Sequence, residues 1–422
     1  MILMTLLNTY KQYIFFLAIV STFSLFSSKS NVPSKVSILF VTKEFPSAYQ
    51  PYILNDIIGA KQNGHSCAIY AQTKGEAEDL EPLIKAHKLD QITHYILPDM
   101  KLYNVVCCEW EDQGKVYAAI KKDNINTIPN LIIRFRGHPD HHSAYMFAFS
   151  SAVKLLPINT YFKNQLLKAG YDKNKITVVP SGIISKNFIC EDLPLLVRDR
   201  QQYTKESWVA EVKPFQILSI EHSTTQKSKH LINAINHLIH DKNIAVEASI
   251  IGEKHRQLIA KNYITRKNFA LQINSAEEKN QHQIKQCLAQ THIFVLPIIT
   301  SQTTISDDTE NLLKEVMLAN IPIVTTDSTQ DLITDMKTGF LVSEEKMKKD
   351  TSGKILADGI YRVMTTNNED LTTICQTAQE KVKREYDIDV TATQFSTLIQ
   401  KIIHPRTPVQ QLAQRKTYFF LS

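Results

Sequence analysis

From Lys35 onward the chain alternates short β-branched, apolar runs with amphipathic stretches of helical period, and it does so twice over. Apolar runs this short, separated by helical spacing, describe strands buried on both faces, which is the arrangement of a parallel sheet covered by helices. The first set predicts strands at 36–41, 66–71, 92–97, 131–135 and 176–179, with helices at 51–62, 142–154 and 161–168. A weaker pattern from 184 to 214, containing Arg198 and Arg200, reads as a connection. The alternation then restarts with strands at 215–220, 245–251, 269–273, 293–297 and 323–326, and helices at 228–240, 277–289 and 310–319. Helical patterns at 355–365, 370–385 and 390–403 follow. Two doubly wound α/β units in tandem would face each other across the carboxyl edges of their strands.

The 422 residues carry 48 basic and 42 acidic side chains, a net charge of +6 that is too small and dispersed for a nucleic-acid footprint. An anionic membrane surface or an anionic nucleotide suits it better. Six cysteines without CxxC spacing give neither a disulfide framework nor a zinc knuckle, and point to a reducing, cytosolic setting. Residues 13–26 form an apolar run between Lys11 and Lys29. At about 14 residues the run falls short of the ~20 needed to span a bilayer. It reads as an uncleaved anchor or membrane-seated segment, or as a secretory signal, although Ser27-Ser28-Lys29-Ser30 offers no small-x-small cleavage site.

Two carboxylates, Asp307 and Glu315, lie eight positions apart across a helix start that follows the 293–297 strand. At ~1.5 Å per residue they are separated by roughly 12 Å, so they would grip opposite ends of an extended ligand. The plainer alternatives are a capping box, Asp307-x-x-Glu310, and an exposed helix acid at Glu315. Lys227, between a strand and a helix, suits a phosphate-facing cation or a solvated loop lysine. A second cluster, Arg134-Phe-Arg-Gly-His-Pro-Asp-His-His142, ends a strand in the first half. Its His138 and Asp140 read as polar residues at a cleft rim; a metal site would need a distant further ligand.

Phe294–Pro297, Glu315, Met317, Pro322, Val324, Thr326 and Thr338–Val342 match, in order, the landmarks of retaining GT-B glycosyltransferases of family 4, the exopolysaccharide type, which the chain resembles. Phe45-Pro46, Gly64-His65 and the run from Lys168 to Gly182 extend the resemblance to the first half. It implies two facing Rossmann-like domains and a C-terminal helix crossing back to the first. The division is 1–34 as hydrophobic segment, 35–195 as acceptor-side domain, 196–211 as linker, 212–385 as nucleotide-sugar domain and 386–422 as crossover helix and tail. The resemblance further implies transfer of a hexosyl unit from a UDP- or GDP-sugar to a surface glycan or lipid-linked acceptor, with anomeric retention and no metal or cofactor. The expected location is the cytoplasmic face of the membrane.

In that scheme Asp307, Glu315 and Arg136 are catalytic. Lys227, His222, Gly252, Glu315 and Asp307 hold the donor, and His138 and Asp140 lie on the acceptor side. The departures from the family pattern are equally specific. Its first glutamate is Asp307, its Gly and Pro become Asp308 and Glu310, and its Gly-Arg becomes Glu221-His222. Lys254 replaces the second glycine after Gly252, and the chain has only 11 glycines, against a typical ~7% of residues. The same fold with transfer lost, acting as a membrane-associated binding or partner subunit, is the rival expectation. An epimerase or phosphorylase ranks behind both.

Overall fold

The computed structural model describes residues 35–47, 50–110, 130–136, 152–202, 214–221, 227–252, 264–265, 273–277, 281–299 and 306–404. The 13–26 run, His138, Asp140 and His222 lie outside the described residues.

The first sheet contains β1 (Ser37–Phe45), β2 (Ser66–Lys74), β3 (Thr93–His94), β4 (Val105–Cys108), β5 (Asn130–Phe135) and β6 (Lys154–Pro157). Its spatial order is β3-β2-β1-β4-β5-β6, parallel throughout. Helices α1 (Pro51–Gln62) and α2 (Thr160–Lys168) belong to this half, and α3 (Leu195–Gln202) follows. The second sheet contains β7 (Phe215–Glu221), β8 (Val246–Gly252), β9 (Ile273–Glu277), β10 (Ile293–Leu296), β11 (Ile323–Thr326) and β12 (Phe340–Val342). Its order, β12-β11-β10-β7-β8-β9, repeats the winding of the first. Its longer helices are α4 (Lys227–His240), α5 (Gln281–Ala289), α6 (Asp307–Leu318), α7 (Lys354–Thr365) and α8 (Asn368–Glu385). In each sheet the winding reverses between two central strands, β1/β4 and β7/β10, which opens a crevice at their carboxyl ends.

The strands form where the apolar runs are continuous: β4 and β10 are buried at every position. The expected strand at 92–97 shrinks to β3, because Tyr95, Ile96 and Leu97 are exposed and pair with no neighbour strand. The one expected at 176–179 contributes only an isolated bridge, Leu155 to Ile176. Two strands that pattern reading passes over, β4 and β6, are four residues each. In β4 half the residues are Cys107 and Cys108, which carry no β-branched signal. The end of the helix expected at 142–154 is instead the start of β6, and residues 137–151 lie outside the described residues.

Within the stretch read as a linker, α3 buries Leu196 and Val197 in the second domain's core and packs on α8, whose Leu371, Ile374 and Cys375 belong to the same cluster. The charge that suggested a loop has a structural use. Arg200 donates from Nη1 to the Thr366 carbonyl (2.7 Å) and from Nη2 to the Met364 carbonyl (2.6 Å), satisfying orphan groups at the end of α7.

The last helix, α9 (Ile388–Ile403), leaves the second half and packs on α1 of the first. Their approach is close because α1 presents Gly59: a Cβ there would lie 2.6 Å from that of Ala392. His65 Nε2 also meets Ser396 Oγ at 2.8 Å. The chain thus crosses between the halves twice, and the crossings pair. Ile183 N donates to the Tyr386 carbonyl and Ile388 N to the Ile183 carbonyl, both at 2.9 Å.

Candidate active site

Helix α6 begins after the polar loop that follows β10. Its N-cap is Ser306, whose hydroxyl accepts from Thr309 N (3.4 Å), so the capping box expected at Asp307 is displaced by one residue. Asp307 becomes the first helical residue. The helix stops at Asn320, which adopts a left-handed φ of 60° ahead of Pro322. Nearly every residue between is buried, polar ones included, because α6 lies between the two domains.

Asp307 is fully buried, and its Oδ2 is ion-paired with Arg136 Nη1 from the end of β5. Ser181 Oγ donates to the same oxygen at 2.7 Å, while Asn311 Nδ2 donates to Oδ1 at 2.8 Å. Arg136 is equally enclosed: Nη1 donates to Ser181 Oγ (2.6 Å), Nη2 to Asp56 Oδ2 (2.7 Å) and Glu109 Oε2 (2.5 Å), and Nε to the Glu109 carbonyl (2.9 Å). Arg134 adds a second bond to Asp56 Oδ2 at 2.7 Å. Two guanidiniums therefore face three carboxylates, Asp56 and Glu109 from their own domain and Asp307 from across the domain boundary, and the Tyr52 ring lies 4.7 Å from the Arg136 guanidinium.

Burial has predictable effects on these groups. It raises the Glu109 carboxyl above its ordinary value, with Arg136 opposing. Burial alone would lower Arg136, but Glu109, Asp307 and Asp56 outweigh it and hold the guanidinium charged. The Tyr52 phenol is pushed well up, first by burial and then by Asp308 and Asp307. The first turn of α6 carries Asp307, Asp308 and Glu310, which offset the partial positive charge of that helix end.

Further along α6, Glu315 is 8% exposed, so it is not the exposed helix acid of the plainer reading. It faces α1 across a void of about 20 Å³ that it shares with Tyr52, Asn55 and Asn311, room for about one water. On the other flank, Glu310 Oε2 accepts from Asn159 Nδ2 (2.9 Å), and Lys314 Nζ reaches Glu310 (3.0 Å) and the Ser181 carbonyl (3.2 Å). Beside them lies the larger opening, a cavity of about 370 Å³ between Tyr161 of the first domain and Asp327 to Leu332 of the second.

The expected site residues divide by place. Arg136 and Asp307 are in direct contact, and Glu315 lies two turns along the same helix. Gly252 is the last residue of β8, level with Glu221 and Glu277 at the sheet's carboxyl edge. Lys227 is the first residue of α4, the helix that follows β7 in the chain, with its side chain outside the described atoms. Pattern reading placed Arg134 in its second cluster without a role and missed Glu109, Asp56 and Ser181. The accessible signal was position: Glu109 and Arg136 each follow directly after a strand, in the rim of the switch-point crevice.

Residues 217–362 match the family model described as glycosyl transferases group 1. No curated protein sequence matches the chain. Among solved structures, Anabaena Alr3699/HepE in complex with UDP and glucose is 15% identical with a TM-score of 0.65, covering 87% of this chain and all of its own. A glycosyltransferase from Rickettsia africae is 16% identical with a TM-score of 0.66, covering 89% of this chain and all of its own. The apo form of the lipopolysaccharide outer core galactosyltransferase WaaB is 15% identical with a TM-score of 0.58, covering 86% and 99%. The fold is GT-B: two parallel-sheet domains face each other, and a terminal helix returns to the first.

Proposed function

We propose that this chain is a retaining, family 4-like glycosyltransferase that moves a hexosyl unit from a UDP- or GDP-sugar to a surface glycan or lipid-linked acceptor. The observation that carries the reading is the position of Asp307 and Glu315 on α6, within the matched group 1 region and against the acceptor-side wall. HepE, crystallised with UDP and glucose, supports a nucleotide-sugar donor. In this scheme Lys227 and His222 steady the departing diphosphate, Glu315 holds the ribose, and Asp307 takes the sugar hydroxyls. Both of Asp307's oxygens are occupied, so taking up sugar hydroxyls requires it to give up bonds to Arg136, Ser181 or Asn311. The 370 Å³ cavity beside Glu310 is of ligand size and offers amide, hydroxyl and aromatic groups to a glycan.

The test is turnover of UDP- and GDP-sugars by the full chain and by Glu315→Gln. Transfer or donor hydrolysis that is lost in the variant, at unchanged thermal midpoint, is the expected result. Equal activity would remove Glu315 from the mechanism.

A second reading, a GT-B protein that binds without transferring, is favoured by the saturation of Asp307 and by the three acidic residues at the helix end where a diphosphate would arrive. Nucleotide titration separates the two. A donor-binding enzyme gains stability as RT ln(1 + [L]/Kd), whereas a chain without a donor site does not respond.

A further inference from the structure

Helix α6 stands between two openings. Asp307, Asn311 and Glu315 follow one another at four-residue spacing and so share one flank of the helix, and the latter two border the small void against α1. Glu310 and Leu313 border the 370 Å³ cavity on the other flank. Neither Asp307, Gly252 nor Glu315 lines that cavity, so it is separate from the place of the proposed transfer. Both domains build it: the first supplies Asn159 and Tyr161, and the second supplies Glu310, Glu344 and the turn from Asp327 to Leu332 that follows β11.

Part of this wall is already satisfied. Asn159 bonds Glu310, Thr329 Oγ1 donates to the Thr326 carbonyl (2.9 Å), and Glu344 pairs with Lys348 (2.6 Å). The Gln330 amide and the Asp331 carboxylate, by contrast, are exposed and make no side-chain hydrogen bond among the described residues. Tyr161 is 43% exposed, and its ring stands at 90° to that of the buried Phe162 with centroids 5.8 Å apart, which holds it in place. A held aromatic ring beside an open amide and an open carboxylate is the chemistry that takes a sugar: the C–H face of a pyranose packs on the ring, and its hydroxyls bond to the polar groups. Charge narrows the class. Four carboxylates line the cavity, those of Glu310, Asp327, Asp331 and Glu344, and no Lys, Arg or His among the described residues does. Lys381 reaches the same turn but spends its ammonium on the Asp331 and Leu332 carbonyls (3.1 and 2.7 Å). An anionic sugar or a phosphate would give up water here only to meet like charge. The volume lies at the lower end of the ~300–1,000 Å³ of small-ligand sites and suits a disaccharide.

We propose that this cavity is a subsite for an uncharged disaccharide unit of a glycan, set apart from the donor and excluding uronate and phosphate groups. Because each domain supplies part of the wall, an occupant ties the two domains together. The subsite rests on the glycan part of the proposed function and not on transfer itself, so binding and turnover fail independently.

The test titrates the full chain with lactose, maltose, cellobiose, mannobiose and chitobiose, and with digalacturonate as the anionic counterpart. Saturation-transfer NMR measures binding, and hydrogen exchange of the peptides covering 158–164 and 326–333 gives a readout local to the two walls. The expected result is that at least one uncharged disaccharide binds and slows exchange in both peptides, while digalacturonate does neither. Affinity for that disaccharide should fall ~10-fold in Tyr161→Ala and ~3-fold in Gln330→Ala, and stay unchanged in Glu315→Gln. Tyr161 and Gln330 are exposed, so both variants keep the native thermal midpoint. Binding of none of the uncharged disaccharides, equal binding of digalacturonate, protection of one peptide alone, or native affinity in both cavity variants would each overturn the proposal. So would loss of binding in Glu315→Gln, which would put the sugar in the transfer site. Disaccharide binding by a chain that turns over no nucleotide-sugar would uphold the subsite and remove the transferase reading.

Discussion

Arg136 cannot be removed without leaving Asp56, Glu109 and Asp307 to repel one another out of water. Breaking a buried pair by deleting one partner costs about 3–5 kcal/mol, far more than an exposed bridge contributes. Arg136→Met is therefore expected to lose about 3–5 kcal/mol in urea unfolding, and a loss below ~1 kcal/mol would show that the cluster is held by other means. At this scale the sequence was readable in part. Asp307 stood out as a candidate from its place behind a strand and Arg136 from the family resemblance, but their partnership did not follow from either. Asp307 Oδ2 and Ser181 are 126 residues apart in the chain, and no local pattern encodes which carboxylate meets which cation. Glu109 was hidden for a different reason: the strand that delivers it is four residues long and ends in two cysteines.

Packing between elements turns on small residues. Gly59 lets α1 and α9 approach, and any Cβ added there falls 2.6 Å from the Ala392 methyl. Overpacking of this kind costs about 1–3 kcal/mol. Gly59→Ala should lower stability by that amount, and adding Ala392→Gly should restore much of it; a pair of additive losses in thermal unfolding would refute the steric account. Long periodic helices such as α1, α4 and α9 were legible because each repeats its apolar face over several turns. The ends of the sheets were not. Apolar composition at 92–97 looks the same whether the residues enter a sheet or lie on its flank, and only the neighbouring strand decides.

Across the whole molecule, burial lowers the pKa of His65, His87 and His230 below the usual 6.5. A depressed histidine contributes stability in full above the unfolded value and loses it as the pH falls through the folded one, because the unfolded chain takes up protons first. Thermal midpoints should therefore hold from pH 8 to about 6.5 and decline below that. His65→Gln should flatten part of the decline, and a midpoint equally steep in the variant would show that His65 contributes nothing to it. His65 also marks the seam with the last helix, bonding to Ser396 over a separation of 331 residues. That separation has a consequence for the chain during its synthesis. At roughly 5–20 residues per second, α1 emerges and then waits roughly 15–65 s, while the rest of the first domain and the whole second domain are made, before the helix that covers it leaves the ribosome. Until then the face of α1 at Gly59 that meets Ile388 and Ala392 stands open, so the nascent chain carries in that interval an apolar groove that the finished protein covers.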